Sequence, residues 1–122
     1  MAALADVFVS GAAKEGHHFD YAAENAPRLD ALVDLFLESE PGADVINSMV
    51  LSMGAYVGEL VVRNGGGAWT FEQEAGAPGV RLASDLVAFP LSKVGKRITV
   101  GAEHSIAQFV EVALAGELPP EV

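Results

Sequence analysis

The chain has 122 residues, the length of one domain, and 51% of them are apolar, which is enough for an independent core. Its net charge of −10, from seventeen acids and seven bases, opposes binding to nucleic acid or to an anionic membrane. It has no cysteine, which excludes disulfides, thiolate metal sites and thiol nucleophiles and fits a soluble protein of the reducing cytoplasm. We also expect no signal peptide and no membrane span, because the apolar start lacks a basic leader and no apolar run approaches about eighteen residues.

Two amphipathic helices are predicted in the first third of the chain. Apolar residues at helical spacing predict the first over Ala2–Lys14, with its end near Gly16. The second begins near Pro27, which suits the first turn of a helix, and ends at Pro41-Gly42. Residues 1–44 hold nine acids against two bases, so most of the negative charge lies in this part of the chain.

The longest predicted helix covers about residues 44–64 and is the expected centre of the fold. Its apolar stripe recurs every three or four residues, at Ile46, Met49, Val50, Met53, Val57, Leu60 and Val61. Asp44 is the predicted N-cap, and Gly65–Gly67 ends the helix. Another face carries Gly54 and Gly58, which predicts that a second backbone packs closely there. The same small-residue face suits a helix-to-helix contact in a homodimer.

Beyond the glycines the apolar period changes to two, which predicts a three-stranded antiparallel sheet over about residues 68–89. The predicted strands are Ala68–Gln73, Val80–Ala83 and Leu86–Phe89. Gly76–Gly79 forms the first predicted turn, and Ser84-Asp85 forms the second, tight one. Because three short strands do not stand alone, we expect a helix to cover one face of the sheet.

Helical segments are predicted again after the sheet. Ser92–Ile98 fits a short helix or a fourth strand, and we favour the helix. The last helix is predicted over Ala102–Ala115, where Gly116 closes it and Pro119-Pro120 prevents its continuation. Helices, then strands, then a helix is the order of an α+β domain, which is the fold class we expect for residues 1–122.

Three motifs are the most distinctive part of the chain. They are Gly54-Ala55-Tyr56-Val57-Gly58-Glu59 on the central helix, Gly65-Gly66-Gly67-Ala68-Trp69 after it, and Lys93-Val94-Gly95-Lys96-Arg97 downstream. Together they resemble a family of small bacterial domains of unknown function with a Gly-Ala-Tyr-x-Gly-Glu helix, a Gly-Gly-x-Trp turn and a Lys-Val-x-Lys-Arg segment. The resemblance runs over about residues 17–112. It implies a bacterial origin and no particular activity.

Glu59 is the one candidate for a catalytic carboxylate. It shares a helix face with Tyr56 and Arg63, at spacings of three and four residues. If Glu59 is buried it needs a partner, and the amides of the glycine loop or the Trp69 indole could supply one. Two interpretations stay open: an acid that holds the turn between helix and strand, or a catalytic or ligand-binding carboxylate.

A cluster of cations is the second candidate site. Three of the seven bases fall within five residues, where they could hold a phosphate or a carboxylate, or form a solvated face that balances nearby acids. The candidate ligand-binding residues are Lys93, Lys96, Arg97, Tyr56, Arg63 and Trp69.

Metal and cofactor sites are not expected. The pair His17-His18 with Asp20 is typical of a surface loop, because adjacent histidines rarely present both rings to one ion, and His104 stands alone beside Glu103. The sequence has no nucleophile elbow, phosphate loop or dinucleotide fingerprint.

Three functions remain as hypotheses. The leading one is a non-enzymatic protein-interaction or accessory module with a protein partner, based on the charge and the spare apolar surface. The second is a domain that binds a small anionic ligand at the cation cluster. The third is a hydrolase-like enzyme that uses Glu59. A homodimer is a candidate assembly in each case.

Overall fold

The structure is a computed structural model that describes residues 1–118, and it confirms the predicted α+β fold class. Its elements are α1 (Ala2–Lys14), a 3₁₀ turn (Ala23–Asn25), α2 (Ala26–Glu38), α3 (Ala43–Gly65), β1 (Ala68–Glu72), β2 (Ala77–Arg81), β3 (Val87–Ala88), α4 (Pro90–Thr99) and α5 (Ile106–Leu114). Three helices thus precede the antiparallel sheet, whose strand order is β1-β2-β3, and α4 and α5 follow it.

Helix α3 forms the centre of the fold. The nine consecutive residues Met53–Val61 are all buried, and this half of α3 lies among α1, α4 and α5. Helix α2 packs mainly on α5 instead. The first half of α3, Ala43–Ser52, extends beyond the core and has no fully buried residue. The apolar stripe of α3 is therefore longer than the core that covers it.

The two glycines on the second face of α3 are covered by other parts of the same chain. A Cβ atom at Gly54 would lie 2.8 Å from the Cα atom of Leu91 on α4. A Cβ atom at Gly58 would lie 2.1 Å from the indole ring of Trp69. The close approach of a second element was therefore rightly predicted. The prediction that this face could carry a homodimer contact is wrong, because α4 and Trp69 already fill it.

The sheet differs from its prediction in the first turn. Residues 73–76 form that turn, and β2 already includes Pro78 and Gly79, which were predicted to lie within it. Pro78 lies opposite Phe71 of β1, whereas β3 pairs only with Val80 and Arg81. Proline is tolerated at this position because that part of β2 is an edge on its second side.

Two helix starts also differ from their predictions. Gly42, rather than Asp44, is the N-cap of α3, and Asp44 lies in the first turn, where its charge favours the helix dipole. Helix α5 begins at Ile106 instead of Ala102, because the hydroxyl oxygen of Ser105 accepts a hydrogen bond from the Gln108 amide. The helix predicted over residues 92–98 is confirmed as α4. The predicted stop at residues 119–120 lies outside the described part of the chain.

Helix α3 also bears on the expectation that the chain has no membrane span. Within residues 1–118 it is the one helix long and apolar enough to cross a membrane by length and composition, so the expectation that no segment reaches this limit is wrong. Half of its most apolar window of 18 residues is buried inside the protein, and the core helices of soluble proteins pass the same test.

Candidate functional site

The carboxylate of Glu59 joins α3 to β1 and is held at both oxygens. The Trp69 indole Nε1, one of the two partners that the sequence suggests, donates to Oε2 at 2.6 Å. Arg63, one turn further along α3, donates from Nε to Oε1 at 3.0 Å. Glu59 is only 6% exposed, so these bonds replace the water that a buried carboxylate loses. This arrangement suits an acid that holds the turn between helix and strand.

The same cluster continues from Arg63 to α1. The Arg63 guanidinium lies 3.6 Å above the centre of the Tyr21 ring, and the Tyr21 hydroxyl donates to Asp6 Oδ1 at 2.7 Å. Burial, together with this bond to the Asp6 carboxylate, raises the pKa of Tyr21. Arg63 and Trp69, two of the candidate ligand-binding residues, are thus engaged within the protein.

Tyr56, a third candidate, lies in the core. Its ring centre is 5.0 Å from that of Phe8 and 5.8 Å from that of Phe19, and its hydroxyl donates to the backbone carbonyl of Asp20. Tyr56 is fully buried, and burial raises its pKa to about 12. The side chain therefore anchors the loop before α2 and is not open to a ligand.

The Lys93–Arg97 cluster is divided between two sides of α4. Arg97 is buried and turns toward α2, where Nε lies 3.0 Å from Asp30 Oδ1 and NH2 lies 2.8 Å from Asp34 Oδ1. Lys93 and Lys96 instead line a separate cavity of 180 Å³ beside Phe109, and Lys93 Nζ lies 3.5 Å from His104 Nδ1. The three cations do not meet at one site.

Asp30 is a structural residue that the sequence analysis missed. Besides the bond to Arg97, its carboxylate accepts from the amides of Ile106 at 3.0 Å and Ala107 at 2.9 Å, the first residues of α5. An acid from another helix thus satisfies the free amides at a helix start. The pattern of Ser105 followed by Gln108 is typical of a capped helix start and marks the start of α5, but it does not identify Asp30, which lies 76 positions from Ile106.

A large apolar cleft of 830 Å³ lies between α1, α2 and the first half of α3. We call it the helical cleft; its walls include Val7, Leu35, Phe36, Val45, Met49 and Leu51. Four of these, Val7, Leu35, Val45 and Leu51, are exposed large apolar side chains. The cleft exists because α2 packs on α5 while the first half of α3 extends past the core.

The polar residues of the helical cleft lie at its surface. They are Glu15, His17, Ser39, Ser48 and Ser52, none of which is buried. The buried charged residues Glu59 and Arg97 lie elsewhere. The sequence pattern did not reveal this cleft, although the apolar stripe of α3 begins well before the helix enters the core.

Metal-ligating side chains and comparison with known proteins indicate no further site. In the part of the chain that the structure describes, no three histidine, aspartate or glutamate side chains lie close enough together to hold a metal ion. No family profile, no curated protein and no solved structure matches the chain.

Proposed function

We propose that this chain is a non-enzymatic protein-interaction module that binds an amphipathic helix of another protein in the helical cleft. The observation that carries the proposal is the cleft itself, 830 Å³ in volume and lined by exposed aliphatic side chains on three helices. Contiguous exposed apolar surface of this kind marks interaction sites, because leaving it in water forgoes the free energy of burial.

The shape of the cleft favours a helix as the occupant. The wall formed by α1 runs from Leu4 to Glu15, which is roughly 17 Å or three turns at 1.5 Å per residue. A helix in such a groove places anchors at positions i, i+3 or i+4 and i+7 on one apolar face. A small apolar ligand fits less well, because ligand pockets enclose most of the ligand and aim a few fixed polar groups at it.

The other hypotheses have less support. Both oxygens of Glu59 are occupied, and Glu59 lines none of the cavities of 830, 330 and 180 Å³, so the geometry gives little support to a role as general base. A small anionic ligand at the cation cluster would lack Arg97, which two carboxylates hold. The cytoplasmic location and the bacterial origin stay predictions.

The experiment is a selection of displayed helical peptides on the purified protein, followed by binding titrations of the retained peptides. Val7→Ser and Leu51→Ser lie in the cleft and should weaken binding about tenfold or more, since each removes an apolar anchor. The matched controls are Val100→Ser, because Val7 and Val100 are both 60% exposed, and Leu86→Ser, because Leu86 is half-exposed like Leu51. These controls lie outside the cleft and should leave affinity within about twofold.

Four outcomes would count against the proposal. The selection could retain no helix, or the control substitutions could weaken binding as much as the cleft substitutions do. A fatty acid could bind with an affinity that depends on Val7 and Leu51, which would make the cleft a small-molecule site. Sedimentation could reveal a dimer that Val7→Ser dissociates, which would make a second copy the occupant.

A further inference from the structure

Three acids that form no ion pair with the described residues lie at one end of the helical cleft. Glu38, Glu40 and Asp44 are exposed and lie within seven residues, at the turn between α2 and α3. We call these three residues the acidic turn. Ser39 and Val45, which are direct sequence neighbours of these acids, line the cleft. The acidic turn is thus part of the rim of the cleft.

Four other acids of the N-terminal third have internal partners. Asp6 accepts from the Tyr21 hydroxyl, and Asp20 accepts from the Asn25 side chain. Asp30 and Asp34 both pair with Arg97. Within residues 1–118, no acid of the acidic turn forms an ion pair. The turn therefore has negative charge that no cation of the described residues pairs with, and only Asp44 interacts favourably with a helix dipole.

The two helix poles at this turn offset each other, and a further acid adds to the negative potential. The free carbonyl groups at the end of α2 supply a negative pole, and the free amide groups at the start of α3 supply a positive one. Glu15, at the end of α1, lines the same cleft. Residues 1–44 hold nine acids against Lys14 and Arg28 only. A second copy of this chain, also at −10, or an anionic lipid surface would be repelled here.

From this charge pattern we infer that the helix in the cleft has a basic flank, with Lys or Arg residues at the end that reaches the acidic turn. The inference rests on the proposed function. The apolar face supplies most of the affinity, and the basic flank sets the direction of the helix in the cleft and speeds its association. Because the charges are exposed, their contribution weakens as salt is added.

The test uses three synthetic peptides derived from one helix retained in the selection. They share its apolar face and carry three Lys, three Gln or three Glu residues on one flank. At an ionic strength of about 0.01 M, where the Debye length is about 30 Å, we expect the Lys peptide to bind roughly tenfold more tightly than the Glu peptide. At about 1 M, where that length is about 3 Å, the ratio of the two Kd values should approach one.

Matched protein variants locate the effect. The triple variant Glu38→Gln, Glu40→Gln and Asp44→Asn should remove the preference for the Lys peptide and leave the Kd of the Gln peptide unchanged. The control triple variant Glu74→Gln, Asp85→Asn and Glu111→Gln removes the same formal charge from exposed positions outside the cleft. It should keep most of the preference.

Each outcome decides one of the two proposals. If the Gln peptide does not bind, or binds without dependence on Val7, the proposed function fails. If the three peptides bind equally at low salt, the inference fails and the proposed function stands. The inference also fails if the control triple variant removes the preference as fully as the variant of the acidic turn, because the effect would then come from net charge.

Discussion

Arg97 on α4 pairs with Asp30 on α2, with Nε 3.0 Å from Oδ1, beside the first turn of α5. Burial by itself would lower the pKa of Arg97, but the carboxylates of Asp34 and Asp30 raise it, so the guanidinium stays charged. The Asp30 carboxylate thus links α2, α4 and α5. Its pairing with Arg97 explains why this guanidinium is not open to a ligand.

The first prediction concerns this pair. Asp30→Asn should lower the free energy of unfolding by about 2–4 kcal/mol, because it removes the less exposed of the two counter-charges of a buried guanidinium and weakens the cap of α5. Denaturant titration measures the change. Asp34→Asn is the control, since the Asp34 side chain is 69% exposed against 22% for Asp30, and it should cost less than about 1 kcal/mol. Equal costs would show that the bonds of Asp30 to α5 add nothing.

The second prediction concerns Glu59. Glu59→Ala should lower the free energy of unfolding by about 1–3 kcal/mol, because the indole N–H of Trp69 loses its buried partner. Fluorescence of Trp69, the single tryptophan, follows both unfolding and the local change. Glu111→Ala, at an exposed position of α5, should change stability by less than about 0.5 kcal/mol. An unchanged midpoint for Glu59→Ala would return Glu59 to the functional candidates.

The third prediction compares two helical glycines. Gly58→Ala should destabilise by about 1–3 kcal/mol, since its methyl group would overlap the Trp69 ring at 2.1 Å. Gly95→Ala should instead stabilise by up to about 1 kcal/mol, because the nearest atom lies at 4.0 Å and alanine favours the helix. Thermal unfolding distinguishes the two signs. A stabilised Gly58→Ala protein would mean that Trp69 moves away without cost.

The fourth prediction concerns alkaline pH. The pKa of Tyr56 is about 12 in the folded protein against a usual value of 10.0, so the folded state favours the neutral phenol. Its contribution to stability is complete below pH 10, falls as the unfolded chain ionises, and is lost by about pH 12.

Unfolding measured at several pH values, with absorbance of the phenolate, tests this. The decline should reach about 3 kcal/mol at most from this residue and should be smaller in Tyr56→Phe. Tyr21→Phe is the comparison, because it removes the other tyrosine and keeps the part due to Tyr56. A decline of equal size in the wild type and in Tyr56→Phe would contradict the assignment.

The sequence alone was sufficient for the order of the elements and for several of their ends. The span of α1 agrees with its prediction at both ends, and the change of period after Gly65–Gly67 marked the start of the sheet. These features depend on residues a few positions apart, within reach of one helical turn or one strand. The start of α5 was also encoded locally, by Ser105 and Gln108, although the prediction placed it at Ala102.

Only the tertiary structure decided which side chains meet. Lys93, Lys96 and Arg97 are neighbours in sequence, yet Arg97 pairs with Asp30, 67 positions away, while the two lysines line another cavity. The helical cleft is also decided by the tertiary structure, because it depends on α2 packing on α5 rather than on α3. Which side chains meet depends on which helix faces are buried against each other, and a local pattern of residues does not specify that arrangement.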